Sequence, residues 1–310
     1  MYKIELGRLW KGFWQLADPK IWIASTIPMA VGGALSYNAI GSFDIFWFMI
    51  SLAAVYLIEI GKNAVNEVID YNSGVDRFIA PDKKTPFSGG KKTIVEGKLK
   101  VFEAGAIGIL TVGAACLIGL YIILFRERSI YWIGITGVLL SMFYSLPPFK
   151  FAYRGFGEVV VGLAFGPLIT SGIYLVMTHM FDWSVVLASL PIGLIIANVL
   201  WINQYPDYEA DAAGGKRNWV VRLGKRKALK VYTALFVLAF VLFIPIALVY
   251  RNPFWLLGLA GLPPAVKSIK TAYEYYDDIQ RLMAANAGTV ITYQLMGLGM
   301  AAAAILGIIV

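Results

Sequence analysis

Long uninterrupted apolar segments constrain this chain more than any other feature of its sequence. Hydrophobic residues fill 59% of the 310 positions, charged residues fill 15%, and the mean hydropathy is +0.69. A soluble domain of this size carries considerably more charge. Crossing the ~30 Å hydrocarbon core of a bilayer takes roughly 20 apolar residues in a helix. Nine segments come near or exceed that length, and they cover residues 21–38, 45–71, 101–125, 129–145, 156–178, 184–206, 227–249, 253–271 and 289–310. We therefore predict an all-α, polytopic membrane protein, a single domain of about nine transmembrane helices around a central cavity.

The distribution of positive charge predicts how this bundle is oriented. If the helices alternate in direction, 23 lysines and arginines lie on the side of the amino terminus and three on the other side. Cytoplasmic loops carry the excess of basic residues, so we expect the amino terminus in the cytoplasm of a cell-membrane protein. Residues 1–20 alternate aromatic and basic positions, which predicts an amphipathic helix lying at the membrane interface. The net charge of +8 then indicates anionic lipid and an anionic substrate as partners, and requires no nucleic acid.

The predicted second span ends in a polar motif. Lys62, Asn66 and Asp70 follow each other at intervals of four and share one helical face, and Asp76 comes six residues later. Ionisable side chains at membrane depth are costly and by default line a functional cavity. A structural pair formed by Lys62 and Glu59, one turn apart, explains those two residues equally well. It does not explain the amide and the two aspartates.

A second motif closes the predicted sixth span. Asn203, Asp207 and Asp211 again follow at intervals of four, and Pro206 is expected to kink the helix there. Residues 214–218 form a glycine-containing basic turn, which suits binding of phosphate oxygens. Four crossings separate the two motifs, so the chain returns to the same side. We therefore expect both motifs at the cytoplasmic ends of helices and facing one cavity.

Two long loops and one aromatic residue are expected near these motifs. Residues 72–99 and 207–226 are predicted cytoplasmic cap loops, and residues 89–90 are both glycine. The first loop has the composition of a hinged lid over a polar head group, or of a solvated basic loop. Tyr144 lies at the same predicted depth, where its ring either faces a cation or belongs to an interfacial aromatic belt.

Carboxylate and amide oxygens without histidine or cysteine favour a hard cation. Mg²⁺ in particular is usually held by one or two carboxylates together with substrate phosphates. Two acidic motifs surrounded by lysines and arginines therefore predict a diphosphate bound through Mg²⁺, with basic side chains on the remaining oxygens. A hydrocarbon tail on such a substrate would occupy the membrane-embedded cavity.

With these motifs the chain resembles the UbiA superfamily of intramembrane prenyltransferases. The resemblance covers most of the chain and rests on the paired motifs, on Gly157-Glu158, and on the segments 144–150, 214–217 and 222–224. The six-residue step from Asp70 to Asp76 and the stretch 89–92 are most similar to the menaquinone-pathway branch, whose members prenylate 1,4-dihydroxy-2-naphthoate.

The resemblance implies a site and a mechanism. Mg²⁺ would be held by two sets of three oxygen donors, Asn66, Asp70, Asp76, Asn203, Asp207 and Asp211. An isoprenyl diphosphate would be bound by basic and polar side chains, namely Lys62, Arg77, Lys91, Lys150, Lys216, Arg217 and Ser145. Loss of diphosphate would leave an allylic carbocation near Tyr144, and an aromatic quinone precursor would attack it.

Two questions remain open at the level of the sequence, the class of acceptor and the class of protein. The acceptor is an aromatic ring or, alternatively, a lipid alcohol such as a glycerol phosphate ether or a tetrapyrrole. A cation-coupled secondary transporter also places acidic residues and broken helices in a membrane. Transporter sites tend to lie near the bilayer midplane, whereas both motifs here occur at predicted helix ends beside basic loops, which favours an enzyme.

Overall fold

All regular secondary structure in the part of the chain that the structure describes is helical. The structure is a computed structural model, and it describes residues 2–75, 85 and 90–309. Its α-helices are α1 Tyr2–Ala17, α2 Ile23–Ile40, α3 Ile45–Ser73, α4 Val101–Phe125, α5 Ile130–Phe143, α6 Phe151–Arg154, α7 Gly157–Leu163, α8 Ile169–Thr178, α9 Trp183–Asn203, α10 Tyr208–Ala213, α11 Trp219–Leu223, α12 Lys225–Val241, α13 Phe243–Val249, α14 Leu262–Tyr275 and α15 Ile279–Leu306. A π-helix, Ala164–Leu168, joins α7 to α8, and a 3-10 helix, Pro253–Gly261, precedes α14.

Six helices of the described chain are long and apolar enough to cross a membrane. They are Ile45–Ser73, Val101–Phe125, Gly157–Thr178, Trp183–Asn203, Lys225–Val249 and Ile279–Leu306. The other three predicted spans coincide with helical segments that are shorter or more polar, namely α2, α5 and the 3-10 helix with α14. The multi-pass membrane architecture is confirmed, and the number of nine crossings stays a prediction.

Capping residues explain where the long helices begin and end. Asp44 accepts hydrogen bonds from the backbone N–H groups of Phe46 and Trp47, which satisfies donors that the first turn of α3 leaves unpaired. Gly74 ends the same helix with a φ of 82°, a conformation that glycine adopts without strain. α15 begins at Ile279, ten residues before the predicted span that starts at 289. Asp278 caps this start, because its carboxylate accepts a hydrogen bond from the backbone N–H of Arg281.

Pro206 breaks the second motif into two helices, and here the sequence-based prediction of one kinked helix is wrong. α9 ends at Asn203, the chain turns through residues 204–207, and α10 begins at Tyr208. A proline has no N–H for the helical ladder and disfavours helical geometry in the residue before it. Asn203 and Asp211 therefore lie on different helices instead of on one helical face.

Glycines allow the backbones of α7 and α9 to approach closely. A Cβ atom on Gly193 would lie 2.5 Å from the carbonyl oxygen of Gly162, and one on Gly166 would lie 2.8 Å from Gly193 Cα. Helices that meet over small residues gain dispersion contacts which bulkier side chains would prevent. This contact holds the helix that leads to the second motif against the helix that begins at Gly157.

The segment 90–99 is folded back onto the end of α3. The buried carboxylate of Glu67 accepts hydrogen bonds from the backbone N–H groups of residues 91, 92 and 94 and from the Thr93 hydroxyl. Arg8 of α1 is ion-paired with Glu103 at 2.6 Å. The amino-terminal helix and this part of the predicted cap loop therefore pack at the same end of α3 and α4.

Candidate functional site

The first polar motif is held in place by hydrogen bonds from three parts of the chain. Asn66 Nδ2 donates to Asp70 Oδ2 at 2.9 Å, as expected for residues one turn apart on α3. Asn66 Oδ1 accepts from Ser145 Oγ at 2.7 Å, and Asp70 Oδ1 accepts from the Tyr153 hydroxyl at 2.6 Å. Asp70 is 3% exposed. Its orientation is therefore determined by α3, by the turn after α5 and by α6 together.

The second motif is divided among α9, the turn and α10. Asn203, the last residue of α9, accepts a hydrogen bond from Asn286 Nδ2 of α15 at 2.8 Å. Asp207 is the N-cap residue of α10. Asp211 is buried and accepts from Asn218 Nδ2 at 2.7 Å. Burial raises the pKa of the Asp211 carboxyl.

Lys216 joins the two motifs. Its Nζ lies 3.4 Å from Asp70 Oδ2 and 3.8 Å from Asp211 Oδ1. Burial alone would lower the pKa of this ammonium group, but the two carboxylates outweigh burial and raise it well above its ordinary value. Two carboxylates that are far apart in the sequence therefore lie close to one ammonium group.

Two cavities meet at Tyr144. The smaller has a volume of about 170 Å³ and contains Asn203, Asp207, Asp211 and Lys216 in its wall; we call it the polar chamber. The larger has a volume of about 620 Å³ and an almost entirely aliphatic and aromatic wall built from α3, α4, α5, α7 and α8; we call it the apolar cavity. Tyr144, directly after α5, lines both. The arrangement provides a charged compartment beside a hydrocarbon-like one.

Other basic residues proposed from the sequence occupy different positions. Lys150 lies 5.5 Å from the ring centroid of Tyr153, whose ring is also 5.5 Å from Lys216 Nζ. Lys91 forms an ion pair with Asp18 at 2.8 Å. Arg217 is exposed.

The three remaining predicted residues are Lys62, Asp76 and Arg77. Lys62 lines the apolar cavity and is absent from the wall of the polar chamber. Asp76 and Arg77 lie outside the described residues. The structure therefore leaves one of the six predicted metal ligands, Asp76, without a described position.

Sequence reasoning did not identify Tyr153 and Asn218, which contact the two central carboxylates directly. Tyr153 follows the second of two prolines by five residues and reaches Asp70 only because the chain turns back through α6. Asn218 both caps α11 and donates to Asp211. Neither contact follows from helical spacing, so no signal in the sequence pointed to them.

The oxygen donors of the polar chamber fit a hard divalent cation. Among the described residues, no three His, Cys, Asp or Glu side chains cluster tightly enough to hold a metal alone. Mg²⁺ does not require such a cluster, because one or two carboxylates and substrate phosphates usually complete its octahedral shell. Gln204 Oε1, which also lines the chamber, is buried and has no hydrogen-bond partner among the described residues. Asp211 and the neutral oxygens of Asn203 and Gln204, together with Asp70 at 3.4 Å from Lys216, match the chemistry of such a site.

Comparison with known proteins identifies the family. The model of the UbiA prenyltransferase family matches residues 25–306. The chain is 26% identical over 268 residues to 2-carboxy-1,4-naphthoquinone phytyltransferase of Synechocystis sp., covering 85% of this chain and 83% of the relative. It is 25% identical over 269 residues to 1,4-dihydroxy-2-naphthoate octaprenyltransferase of Bacillus subtilis, covering 86% and 83%.

The fold agrees with this assignment. A UbiA homolog from Archaeoglobus fulgidus, solved bound to GPP and Mg²⁺, superposes with a TM-score of 0.62 at 16% identity, covering 94% of this chain and 99% of that one. The family match spans nearly the whole chain, including both polar motifs and the six described helices that are long enough to cross a bilayer. The chain therefore belongs to the UbiA prenyltransferase family and is a multi-pass membrane enzyme.

Proposed function

We propose that this enzyme transfers a prenyl group from an isoprenyl diphosphate to a naphthoate-type aromatic acceptor in a reaction that requires Mg²⁺. The observation that carries the proposal is the pair of adjoining compartments. Asp211 and Lys216 line the polar chamber, Asp70 lies 3.4 Å from Lys216 Nζ, and Tyr144 lines both the chamber and the apolar cavity. A diphosphate head and a prenyl tail need just these two environments side by side.

The polar chamber is the proposed head-group site. Asn66, Asp70, Asp76, Asn203, Asp207 and Asp211 are the proposed Mg²⁺ ligands. When bound, Mg²⁺ would neutralise diphosphate charge and stabilise the diphosphate as a leaving group. Lys216 supplies an ammonium group that lies between the two motifs. Lys150 lies 5.5 Å from the ring centroid of Tyr153, whose hydroxyl donates to Asp70. Lys91 and Arg217 are proposed as outer contacts of the head group.

The apolar cavity is the proposed site of the hydrocarbon chain. Its volume of about 620 Å³ lies within the range of roughly 300–1,000 Å³ found for sites of drug-sized ligands. Its wall is formed by helices that also expose apolar side chains outward, as Phe102 and Ile109 of α4 do. A prenyl chain bound in this cavity therefore stays out of water, which is favourable for apolar surface.

Tyr144 is placed where positive charge would develop. As the C–O bond to diphosphate breaks, its electron pair leaves with the diphosphate and the allylic carbon becomes cationic. Tyr144 lines the chamber, and an aromatic ring there would stabilise a cation, while the apolar cavity would exclude water that otherwise captures it. A ring carbon of the acceptor then forms the new C–C bond, and the ring loses a proton.

The nature of the acceptor rests on the relatives. The phytyltransferase and the octaprenyltransferase named above both act on naphthalene-derived acids, and the chain spans more than four fifths of each. The proposed acceptor is accordingly 1,4-dihydroxy-2-naphthoate or a close analogue. Bound Mg²⁺ and GPP in the Archaeoglobus homolog support the proposed donor class and cation.

Purified protein in detergent or nanodiscs tests the proposal. We expect incubation with geranylgeranyl diphosphate, 1,4-dihydroxy-2-naphthoate and Mg²⁺ to release diphosphate and yield a prenylated naphthalene, both detected by chromatography and mass spectrometry. EDTA should stop the reaction and added Mg²⁺ should restore it. Prenylation of a glycerol phosphate ether or a tetrapyrrole, with no reaction of naphthoates, would contradict the acceptor assignment. Ion-driven solute uptake into vesicles without turnover of any diphosphate would contradict the enzymatic proposal as a whole.

A further inference from the structure

Lys62 places a positive charge in the wall of an otherwise apolar cavity. It lies eight residues before Asp70 on α3 and lines the apolar cavity rather than the polar chamber. Its Nζ is 5.8 Å from the ring centroid of Tyr144. In the described parts of the chain, this ammonium group donates no hydrogen bond. Its three N–H donors thus lie in a largely apolar wall in which Glu59 is the one carboxylate.

Glu59 offsets part of the cost of this arrangement. It lies one turn before Lys62 on α3, is 4% exposed, and is the principal opposite charge near the ammonium group. Its Oε2 atom accepts a hydrogen bond from Ser25 Oγ of α2 at 2.6 Å. An ammonium at membrane depth is retained only when a partner or a ligand stabilises it. Glu59 provides electrostatic balance, and the donors of Lys62 remain available to a ligand.

Building on the function proposed above, we propose that Lys62 binds the carboxylate of the aromatic acceptor and thereby selects acceptors that carry one. A carboxylate provides the acceptor oxygens and the negative charge that this ammonium lacks. The ring of an acid held at Lys62 lies beside Tyr144, at the boundary with the polar chamber. This is the position from which a ring carbon reaches the allylic carbon of the donor.

The same contact also favours the chemical step. Positive charge develops beside Tyr144, and an ammonium that Glu59 balances only in part, 5.8 Å from that ring, repels it. A carboxylate bound to Lys62 cancels this repulsion. The acid is therefore favoured over an acceptor without the carboxylate both in binding and in the transition state.

Steady-state kinetics with a matched pair of acceptors tests the inference. The acceptors are 1,4-dihydroxy-2-naphthoate and 1,4-dihydroxynaphthalene, which differ only in the carboxylate, and the enzymes are the wild type and Lys62→Met. In the variant we expect KM for the acid to rise roughly 10- to 100-fold, as for loss of a buried charge contact. KM for geranylgeranyl diphosphate should stay within about twofold, and use of the diol should be unchanged or improved.

Two control variants accompany this comparison. Lys62→Arg keeps the charge and should retain a preference for the acid. Lys267→Met removes an exposed lysine of α14 that lines neither cavity, and it should behave like the wild type. Thermal unfolding of each variant in detergent shows whether it is folded, and Lys62→Gln replaces Lys62→Met if the latter is not.

A binding measurement separates this inference from the proposed function. Fluorescence titration with 1-hydroxy-2-naphthoate and with 1-naphthol needs no turnover. We expect the wild type to bind the acid more tightly than the naphthol, and Lys62→Met to lose that difference. An equal preference in both proteins, or a rise in KM for the diphosphate instead of the acid, overturns the role of Lys62. Absence of turnover with a retained, Lys62-dependent preference for the acid overturns the proposed reaction alone.

Discussion

Lys216 is the residue at which the two polar motifs become one site. Its ammonium group lies between Asp70 and Asp211 and has a raised pKa because both carboxylates stabilise its charge. Each carboxylate is also oriented by a hydrogen bond from a neutral side chain, Tyr153 for Asp70 and Asn218 for Asp211. Charge and orientation are thus arranged before a substrate arrives, which is the condition for strong electrostatic stabilisation of a leaving group.

Substitution of the two central aspartates tests this arrangement. Asp70→Asn and Asp211→Asn each keep the shape of the side chain and remove its charge, so we expect turnover to fall by about 100-fold or more. The proteins should remain folded, because neither change opens a cavity. Initial rates of diphosphate release and thermal unfolding in detergent measure the two effects.

Asp277→Asn is the matched control for these variants. Asp277 lies near Lys225 at 3.6 Å, but its side chain is 69% exposed and it lines neither cavity. An exposed ion pair contributes little to stability, so this variant should be close to the wild type in rate and in melting temperature. Near-normal turnover of Asp70→Asn or Asp211→Asn would contradict their proposed role.

At the scale of elements, interruptions in the helices position the site. Pro206 ends α9 and lets α10 turn Asp211 towards Lys216. Pro167 lies in the π-helical segment that joins α7 to α8, and this segment packs against α9 through Gly166 and Gly193. A helix that packs this closely has little freedom to slide, so its end, and the second motif with it, is held at a defined height.

The contact between Gly162 and Gly193 yields a stability prediction. In Gly193→Ala the new methyl group would meet a backbone carbonyl at 2.5 Å, and backbone atoms cannot rotate away as a side chain does. We expect a loss of about 1–3 kcal/mol from overpacking, seen as a lower melting temperature in detergent.

Gly105→Ala is the control for this prediction. Nothing lies within 4 Å of a Cβ atom at Gly105 of α4. Alanine in the interior of a helix is favoured over glycine by about 0.5–1 kcal/mol, so this variant should melt at the wild-type temperature or slightly above. Equal stability of Gly193→Ala and Gly105→Ala would show that α7 and α9 are less tightly packed than the structure indicates.

At the scale of the whole molecule, the bundle places the polar motifs and the basic loops together. Arg8 and Gln15 of the amino-terminal helix contact residues of the segment 90–103. Residues 91–94 of this segment are hydrogen-bonded to the Glu67 carboxylate of α3. By the positive-inside rule we predict that this end faces the cytoplasm. The anionic head group of the donor would then be captured from that side.

Cysteine labelling in intact cells tests the orientation. Cys116 is the single native cysteine, so we start from Cys116→Ser and add either Arg128→Cys or Lys270→Cys, which lie on opposite predicted sides. A membrane-impermeant maleimide should label the cysteine at 128 in intact cells and the one at 270 only after permeabilisation. The reverse pattern would place the amino terminus and the polar chamber outside the cytoplasm.

The all-helical architecture and most helix bounds could be predicted from the sequence, because hydropathy and helical spacing are properties of neighbouring residues. The pairing of Asn66 with Asp70 on one face of α3 follows from a spacing of four and is present in the structure. The likeness between the two motifs likewise pointed to one shared site.

What the tertiary structure decided is which groups meet. Lys62 shares a helical face with Asp70, yet Lys62 lines the apolar cavity, whereas Asp70 lies beside Lys216 of the polar chamber. Tyr144, directly after α5, lines both cavities and lies 5.8 Å from Lys62 Nζ. Tyr153 and Asn218 reach the central carboxylates through turns that no periodicity describes. Local sequence determines what each helix is, whereas the packing of helices distant in the chain determines what each polar side chain faces. For this reason Lys62, which the sequence predicted to bind diphosphate, is now proposed to bind the acceptor.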